Sequence, residues 1–230
     1  MVRFLKLFAF ISMLATPTAV AKPLVAELFV SKNCEACPAA IALMDRKVEK
    51  HGDDLLLLTW SVDYWDYLGT ADPMALPEAK TRQRRYAENM SIRGPYTPQV
   101  VFNGSTHCPG NREDAVEREM AEYAADEALL IDANLEAEGT SIALGSSRSD
   151  LNLSVSIVEY ANVGNGKMML TNAVTSHQML GSWNGSPTSF PVSCNSNCAV
   201  LVQETGYGEV LHAVRVNGPA SVPLIEVPIE

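Results

Sequence analysis

The chain has 230 residues, 47% of them hydrophobic, which is long enough to bury a core without disulfide staples. Its 27 acidic and 17 basic residues give a formal net charge of −10. An acidic surface argues against nucleic acids and anionic membranes as partners. Beyond the first residues, no segment is apolar over the length that a membrane-spanning helix needs.

The N-terminal residues predict export. Arg3 and Lys6 form a short basic start, residues 7–15 are almost wholly apolar, and Ala19-Val20-Ala21 offers a small-residue cleavage site. This pattern is typical of a secretory signal peptide over residues 1–21, and the alternative is a buried N-terminal segment. We therefore expect the protein in the periplasm or outside the cell.

The following part of the chain alternates between strand and helix patterns. Apolar runs bounded by turn residues predict the strands, apolar spacing predicts the helices, and Asn103-Gly104 is a hairpin signal. The expected elements are strand 24–30, helix 35–50, strand 55–62, helix 77–90, strand 99–102, strand 105–108 and helix 112–125. Their order, β-α-β-α-β-β-α, predicts an α/β domain over residues 22–127. Alternating units favour parallel pairing, and the closing hairpin adds an antiparallel strand.

After about residue 127 the pattern changes to β-strands alone. Gly, Asn and Ser clusters separate short strand-like runs, which is typical of an all-β, sandwich-like fold. The expected strands are 131–136, 141–144, 151–160, 167–174, 199–203 and 209–216. We therefore predict a β-rich C-terminal domain over residues 128–230. Because no low-complexity linker marks the join, we expect the two domains to pack together.

Cys34-Glu35-Ala36-Cys37 is the most informative motif. It lies between the first predicted strand and the first predicted helix, which is the placement of a dithiol redox site. Unpaired N–H groups and the macrodipole at a helix N-terminus stabilise a thiolate, the nucleophile of disulfide exchange. Two alternatives stay open. One is a permanent structural disulfide, and the other is half of a Cys₄ zinc site completed by Cys194 and Cys198.

The other three cysteines have separate interpretations. Cys194 and Cys198 are close enough in sequence to close a short loop, and we expect a structural disulfide between them. Cys108 is left over, and an odd thiol in an exported protein needs a partner or burial. A bridge from Cys108 to Cys194 or Cys198 would instead staple the two halves together.

A segment later in the first half carries a resemblance. Ile92-Arg93-Gly94-Pro95-Tyr96-Thr97-Pro98, followed by an apolar strand that ends at Asn103-Gly104, resembles the corresponding segment of thioredoxins. The first half resembles a thioredoxin-like domain without the extra N-terminal strand and helix. The resemblance implies that the Thr97–Pro98 bond is cis and faces the cysteine pair. It also implies that Pro98 and the Thr97 backbone present a surface to a substrate peptide.

The chain is also similar to a family of secreted, thioredoxin-like proteins that is catalogued as a domain of unknown function. The matching blocks cover most of residues 24–110. They are Val25-Ala26-Glu27-Leu28-Phe29-Val30-Ser31, Cys34-x-x-Cys37-Pro38, Val62-Asp63-Tyr64-Trp65-Asp66-Tyr67-Leu68-Gly69, Arg82-Gln83-x-x-Tyr86 and Tyr96-Thr97-Pro98-Gln99. The resemblance implies a fold and a redox motif and names no substrate.

Acidic and aromatic residues near the motif are further candidates. Thioredoxins carry a buried acid on the equivalent strand, so the resemblance implies that Glu27 accepts the proton of Cys37. The alternative is that Glu27 is an exposed edge carboxylate. Trp65 and Tyr96 are candidates for a substrate-binding groove, although Trp65 is equally suited to packing between the domains.

Charged and metal-binding residue types give weaker signals. Asp63 and Asp66 are interpreted as turn caps or ion-pair partners in preference to an acid–base or metal pair. The arginines considered as their partners are Arg82, Arg84, Arg85 and Arg93. The four histidines form no spaced ligand set, so no metal site is expected.

These patterns predict an exported thiol–disulfide oxidoreductase of the bacterial cell envelope. Cys34 would attack a protein disulfide, and Cys37 would resolve the mixed disulfide without a cofactor. The expected partners are protein thiols or disulfides and an unidentified redox partner, with no nucleic acid and no membrane span. The alternative is a non-enzymatic binding or assembly module in which the Cys34–Cys37 disulfide is structural.

Overall fold

The computed structural model describes residues 23–125, 135–138, 141–145, 152–164, 168–216 and 225–226. The predicted signal peptide and the join near residue 127 lie outside these ranges. The α-helices within them are α1 (Cys37–His51), α2 (Pro77–Asn89) and α3 (Glu113–Ala125), and two short 3₁₀ helices span Gly52–Asp54 and Asp66–Leu68. In this part of the chain, no helix has the length and apolar character that crossing a membrane requires.

Strands make up most of the remaining described structure. In the first half they are β1 (Leu24–Val30), β2 (Leu55–Ser61), β3 (Gln99–Phe102) and β4 (Thr106–Pro109). In the second half they are β5 (Leu135–Glu138), β6 (Ser141–Leu144), β7 (Leu153–Gly164), β8 (Met169–Trp183), β9 (Thr188–Pro191), β10 (Asn197–Glu204), β11 (Val210–Val216) and β12 (Ile225–Glu226). β9 and β12 were not predicted, and β7 and β8 run past their predicted ends at residues 160 and 174.

One mixed sheet carries strands from both halves. Its order is β11-β10-β7-β8-β2-β1-β3-β4, and β12 pairs with β7. β1 and β2 are parallel along their whole lengths, and β8 joins β2 in parallel through Thr59 and Ala173. β5, β6 and β9 form a separate three-stranded sheet. The protein therefore has a mixed α/β fold built around one large sheet, and the division into two domains stays a prediction.

β3 runs antiparallel to β1, whereas the alternation of strands and helices favours parallel pairing. The reason lies in the connection through α2. This helix starts at the end of β2, where the Leu76 amide donates to the Ser61 carbonyl at 3.2 Å, and its 13 residues span about 20 Å. The connection 90–98 can reach about 30 Å when extended. The chain therefore returns to the edge from which α2 departed, and β3 begins there.

β1, β2 and β3 are buried along their whole lengths, so this part of the sheet is covered on both faces. Successive side chains of β1 point to opposite faces, as the period of a strand requires. Leu28 and Val30 point into a core under α1 and α3, which we call the α1 core. Val25 and Phe29 point into a core under α2, which we call the α2 core. Burial on both faces explains why β1 is almost continuously apolar.

The hairpin between β10 and β11 closes over the α2 core, to which both halves contribute side chains. The Val210 amide donates to the Asn103 carbonyl at 2.7 Å. The Asn89 side chain at the end of α2 donates to the carbonyls of Gly206 and Tyr207 at 3.0 and 2.8 Å. The second half therefore wraps around the first through hydrogen bonds as well as through the shared sheet.

This hairpin contact predicts different costs for two glycine substitutions. Gly104 (φ +69°) and Gly206 (φ +81°) both adopt left-handed backbone, which strains a side chain by about 1–2 kcal/mol. A Cβ at Gly104 would also lie 2.5 Å from the Gly208 carbonyl oxygen, while one at Gly206 would meet nothing within 4 Å. We expect Gly104→Ala to lower the free energy of unfolding by about 2–4 kcal/mol and Gly206→Ala by about half as much. Urea denaturation measures the free energy of unfolding of both variants. Equal losses would contradict the close approach of Gly104 to the Gly208 carbonyl.

Candidate functional site

Cys34 and Cys37 form a disulfide at the start of α1, with Cα atoms 5.4 Å apart. Cys37 is the first residue of α1 and is wholly buried in the α1 core, while Cys34 precedes the helix and is 9% exposed. The first turn of α1 holds no acidic residue, and no side chain caps its amides. Cys34 therefore keeps a small exposed surface at the N-terminus of α1, and Cys37 has none.

Three segments meet at one edge of the sheet, which we call the site edge. β1 and β2 end there and β3 begins there, because β1 is parallel to β2 and antiparallel to β3. Cys34 follows β1, Trp65 follows β2, and Pro98 precedes β3. The topology therefore places these three residues at the same edge although they are far apart in sequence.

Trp65 links the α1 core to the segment before Pro98. Its indole Nε1 donates to Thr97 Oγ1 at 2.7 Å, and its ring packs against the core that contains both cysteines. The Thr97–Pro98 bond is cis, as the resemblance implied, and Pro98 is buried. The Trp65 ring centroid lies 5.8 Å from that of Tyr64 and 6.0 Å from that of Tyr67. An aromatic row therefore extends from Thr97 toward the surface.

The loop after β2 holds the segment just before the cysteine pair. Asn33 Nδ2 donates to the Thr70 carbonyl at 2.9 Å and to Asp66 Oδ1 at 3.4 Å. The Lys32 amide donates to Asp72 Oδ2 at 2.9 Å, and the Asp72 amide donates to Asp66 Oδ1 at 3.1 Å. Asp66 therefore organises a turn, which was one of its two sequence interpretations.

A buried amide in α2 supports the site edge from the opposite face. Gln83 accepts a hydrogen bond from the Tyr64 hydroxyl at 3.1 Å, and its Nε2 donates to the Tyr96 carbonyl at 2.7 Å and to Gln99 Oε1 at 2.9 Å. Burial raises the pKa of Tyr64 to about 12 against the effect of its hydrogen bonds, so the hydroxyl stays protonated. The segment that leads into Pro98 is therefore held from both sides.

Glu27 is wholly buried, which excludes the exposed edge carboxylate. Its two oxygens accept hydrogen bonds from Arg82 Nε and Nη2, the latter at 2.8 Å, and the Tyr86 hydroxyl donates to Oε1 at 2.7 Å. Arg82 is also buried, and although burial opposes its charge, Glu27 raises its pKa. Burial raises the pKa of Tyr86 as well, so this hydroxyl remains a donor. The carboxylate is therefore fully engaged.

Glu27 lies on the other side of the sheet from the cysteines. It is placed between Val25 and Phe29, whose side chains enter the α2 core, whereas Cys34 and Cys37 belong to the α1 core. Its role as the proton acceptor for Cys37 stays a prediction, and both its position and its ion pair with α2 speak against that role.

His177 on β8 lies against the same buried charges. Its ring centroid is 5.8 Å from that of Trp60, and its Nε2 is buried with no hydrogen-bond partner in the described part of the chain. Burial and the positive charge of Arg82 lower the pKa of His177 to about 4, with Glu27 acting in the opposite direction. The imidazole is therefore neutral near pH 7.

Tyr96 and the remaining cysteine lie beside β4. The Tyr96 hydroxyl is 2.9 Å from His107 Nδ1, which leaves the tyrosine half-buried. Cys108 is free and buried. Burial raises the pKa of its thiol to about 12, so the thiol is inert at neutral pH. The leftover cysteine is therefore accommodated by burial and does not staple the two halves.

Cys194 and Cys198 form the second disulfide, as expected, with Cα atoms 6.0 Å apart. Each cysteine pair is thus bonded within itself, which is not the arrangement of a Cys₄ zinc site. Within the described ranges, no group of three or more His, Cys, Asp or Glu side chains is arranged to hold a metal ion.

Two charged partners were not predicted from the sequence. Asp63 pairs with Lys80 at 2.7 Å and with none of the arginines considered for it. Arg82 is instead the partner of Glu27. The signal available in the sequence was the spacing of Arg82 and Tyr86, since residues four apart share one face of a helix. A helix face that carries Arg82 and Tyr86, together with Glu27 in an apolar strand, is the pattern expected of a buried charged cluster.

Comparisons with known proteins give a family and a fold. A family described as Protein of unknown function (DUF1223) matches residues 25–205, and no curated protein matches the chain. A crystal structure of a protein from Agrobacterium tumefaciens has a TM-score of 0.73 and 27% identity, covering 90% of this chain and 99% of that one. HBP35 of Porphyromonas gingivalis has a TM-score of 0.59 and 11% identity, covering 91% and 81%, which shows a similar fold alone.

Removing the charge of Glu27 should strongly destabilise the protein. In Glu27→Gln the shape is kept, but Arg82 is left buried without its counter-charge, and we expect a loss of about 3–5 kcal/mol in the free energy of unfolding. The matched control is Glu88→Gln, which breaks the exposed Arg85–Glu88 pair and should cost less than about 1 kcal/mol. Urea denaturation at pH 7 compares them, and similar small losses would contradict the structural role of Glu27.

The buried His177 should make stability depend on pH. Its folded pKa, about 4, lies below the ordinary value of 6.5, so the unfolded chain takes up a proton first as the pH falls. The contribution is intact above about pH 6.5 and is lost progressively toward pH 4. Between pH 7 and 5, we expect the free energy of unfolding to fall on the order of 1 kcal/mol less in His177→Gln than in the parent. An equal fall in the parent and in His177→Gln would contradict a buried, neutral imidazole at this position.

Proposed function

This chain belongs to the DUF1223 family, and we propose that it is an exported thiol–disulfide oxidoreductase of the bacterial cell envelope. In this proposal residues 1–21 are a signal peptide, residues 22–127 form a thioredoxin-like domain, and residues 128–230 form a β-rich domain that braces it. The substrates are protein thiols and disulfides, and a second protein restores the starting redox state of the cysteine pair. No cofactor is required, because the dithiol itself carries the electrons.

The observation that carries the proposal is the unequal environment of two bonded cysteines at the N-terminus of α1. Cys34 is 9% exposed and Cys37 is not exposed at all. A nucleophilic cysteine must reach its substrate, whereas a resolving cysteine has to reach only the mixed disulfide beside it. The positive end of the α1 macrodipole, with no acidic residue in the first turn, favours a thiolate at Cys34.

In each proposed step, one S–S bond forms and one S–S bond breaks, so atoms and electrons balance. The Cys34 thiolate attacks a substrate disulfide, forming one S–S bond and releasing one substrate thiolate. The Cys37 thiolate then attacks Cys34 Sγ, which forms the Cys34–Cys37 bond and releases the second substrate thiolate. The substrate is thereby reduced by two electrons and the protein is oxidised, and the reverse sequence oxidises the substrate.

The segment that leads into Pro98 is the proposed contact surface for the substrate backbone. Thr97 Oγ1 accepts the Trp65 indole N–H at 2.7 Å, so the side chain of Thr97 is engaged and its backbone is the part left for a substrate. Gln83 fixes the Tyr96 carbonyl at 2.7 Å. Trp65, Thr97 and Tyr96 therefore act in this proposal by shaping the surface beside Cys34. Glu27 has no part in it.

The alternative is a binding or assembly module with a permanent Cys34–Cys37 disulfide. The low exposure of Cys34 favours this alternative, since a locked bond needs no access to a substrate. The reduction potential separates the two functions. Structural disulfides lie below about −300 mV, and exchanging ones lie above it.

Two measurements test the oxidoreductase. Equilibration with dithiothreitol should give a Cys34–Cys37 potential above about −300 mV. In addition, reduced Cys37→Ser should form a mixed disulfide with oxidised glutathione on Cys34, detected by peptide mass. The matched Cys34→Ser variant, whose remaining motif cysteine is buried, should react at least about tenfold more slowly. A potential below that limit, or equal labelling of the two variants, would establish the structural disulfide instead.

A further inference from the structure

Two apolar side chains stand exposed on the loop that contacts the residue before Cys34. Among the described residues, the large hydrophobic side chains that are exposed are Tyr67 (75%), Leu68 (59%), Met169 (48%) and Met179 (50%). Tyr67 and Leu68 are adjacent, and they belong to the loop that contacts Asn33, the residue before Cys34. Exposed apolar neighbours of this size in a well-anchored loop indicate a contact surface for another molecule.

The loop that carries them is fixed on every side. Asp63 pairs with Lys80 at 2.7 Å, and Trp65 is hydrogen-bonded to Thr97. On the far side of the pair, a Cβ at Gly69 would lie 2.5 Å from Asn33 Oδ1, so this glycine is needed for close approach to the segment before Cys34. Tyr67 and Leu68 are therefore presented by a preorganised loop, which lowers the entropy lost on binding.

The surface is continuous with the proposed site. The Trp65 ring joins Thr97 to Tyr67, with the two ring centroids 6.0 Å apart. An extended peptide whose cysteine sits at Cys34 advances about 3.3 Å per residue. Asn33 precedes Cys34, and its side chain lies 3.4 Å from that of Asp66, which precedes Tyr67. Such a peptide would therefore reach Tyr67 and Leu68 within a few residues.

The charge next to Cys34 points to the character of the ligand. Glu35 is exposed, and no Lys or Arg in the described part of the chain forms an ion pair with it. The whole chain carries a formal charge of −10. A basic side chain beside the substrate cysteine would be attracted, and an acidic one would be repelled.

We propose that Tyr67 and Leu68 are the docking surface for an extended segment of another polypeptide. This segment carries an apolar side chain within a few residues of its reactive cysteine and a basic residue beside that cysteine. The proposal rests on the oxidoreductase function and adds a substrate class to it. Tyr67 and Leu68 bind the apolar side chain, and Glu35 selects the basic one.

The test uses nine-residue peptides whose single cysteine is disulfide-bonded to thionitrobenzoate. The reduced, desalted Cys37→Ser protein attacks the peptide sulfur with Cys34, forming a protein–peptide disulfide and releasing thionitrobenzoate. The rate is taken from its absorbance after subtraction of the rate of reduced Cys34→Ser/Cys37→Ser, in which Cys194 and Cys198 are also reduced. One peptide carries Leu near the cysteine and Arg beside it. A second replaces Leu with Ser, and a third replaces Arg with Glu.

We expect the Leu peptide to react about tenfold faster than the Ser peptide, as burial of one aliphatic side chain predicts. Adding Tyr67→Ser and Leu68→Ser should bring this ratio close to one. The matched control adds Met169→Ser and Met179→Ser, which remove two similarly exposed side chains on β8, and should keep the tenfold ratio. The Arg peptide should react roughly two- to fivefold faster than the Glu peptide, and Glu35→Gln should reduce that preference to the part that the net charge supplies.

The possible failures are distinguishable. No release of thionitrobenzoate from any peptide would remove the oxidoreductase function together with the docking surface. Release without a Leu preference, or a preference that survives the Tyr67→Ser and Leu68→Ser changes, would overturn the docking surface alone. Sedimentation of the parent and of the variant with Tyr67→Ser and Leu68→Ser tests the other possible occupant of this surface, a second copy of the chain. A dimer that only the parent forms would assign the surface to a second copy of the chain and overturn the proposal.

Discussion

A buried ion pair within the first half of this protein is completed by contacts from the second half. Glu27 from β1 and Arg82 from α2 are both removed from water, which costs several kcal/mol per charge unless their remaining hydrogen-bonding and packing needs are met. The second half meets part of that need. The Tyr207 ring centroid lies 5.4 Å from Arg82 Cζ, and Gln203 Nε2 donates to the Tyr86 hydroxyl at 3.0 Å. The β-rich half therefore completes a cluster that the first half leaves open.

The same cluster supports the site edge at a distance. Arg82 anchors α2 over the sheet, and the next residue, Gln83, reaches the Tyr96 carbonyl and the Tyr64 hydroxyl. Because those contacts hold the segment before Pro98, its position depends on how α2 is seated. The second half thus contributes to the geometry at the cysteines through α2. The two faces of the sheet have different tasks: the α1 face holds the disulfide, and the α2 face holds the charges.

Much of the local structure was readable from the sequence. Apolar runs and turn signals located β1 to β4 and the three helices within about two residues, because each of these elements buries a clear pattern. The strand–helix placement of Cys34 and Cys37 and the short spacing of Cys194 and Cys198 identified both disulfides. The continuation of β8 past residue 174 is largely exposed and lacks that periodicity, so the strand was cut short. β7 was cut short at residue 160, where register shifts interrupt its pairing with β8.

What the sequence by itself determined was the set of elements and the cysteine pairs, since these depend on contacts between near neighbours. The tertiary structure decided which helix covers which face of the sheet, and so it placed Glu27 with Arg82 and away from Cys37. It also decided that β8 joins β2, through the pairing of Thr59 with Ala173. Alternation along β1 shows that Glu27 shares a face with Phe29 but not which helix lies above it. That choice is made by chain connections and by burial across distant segments.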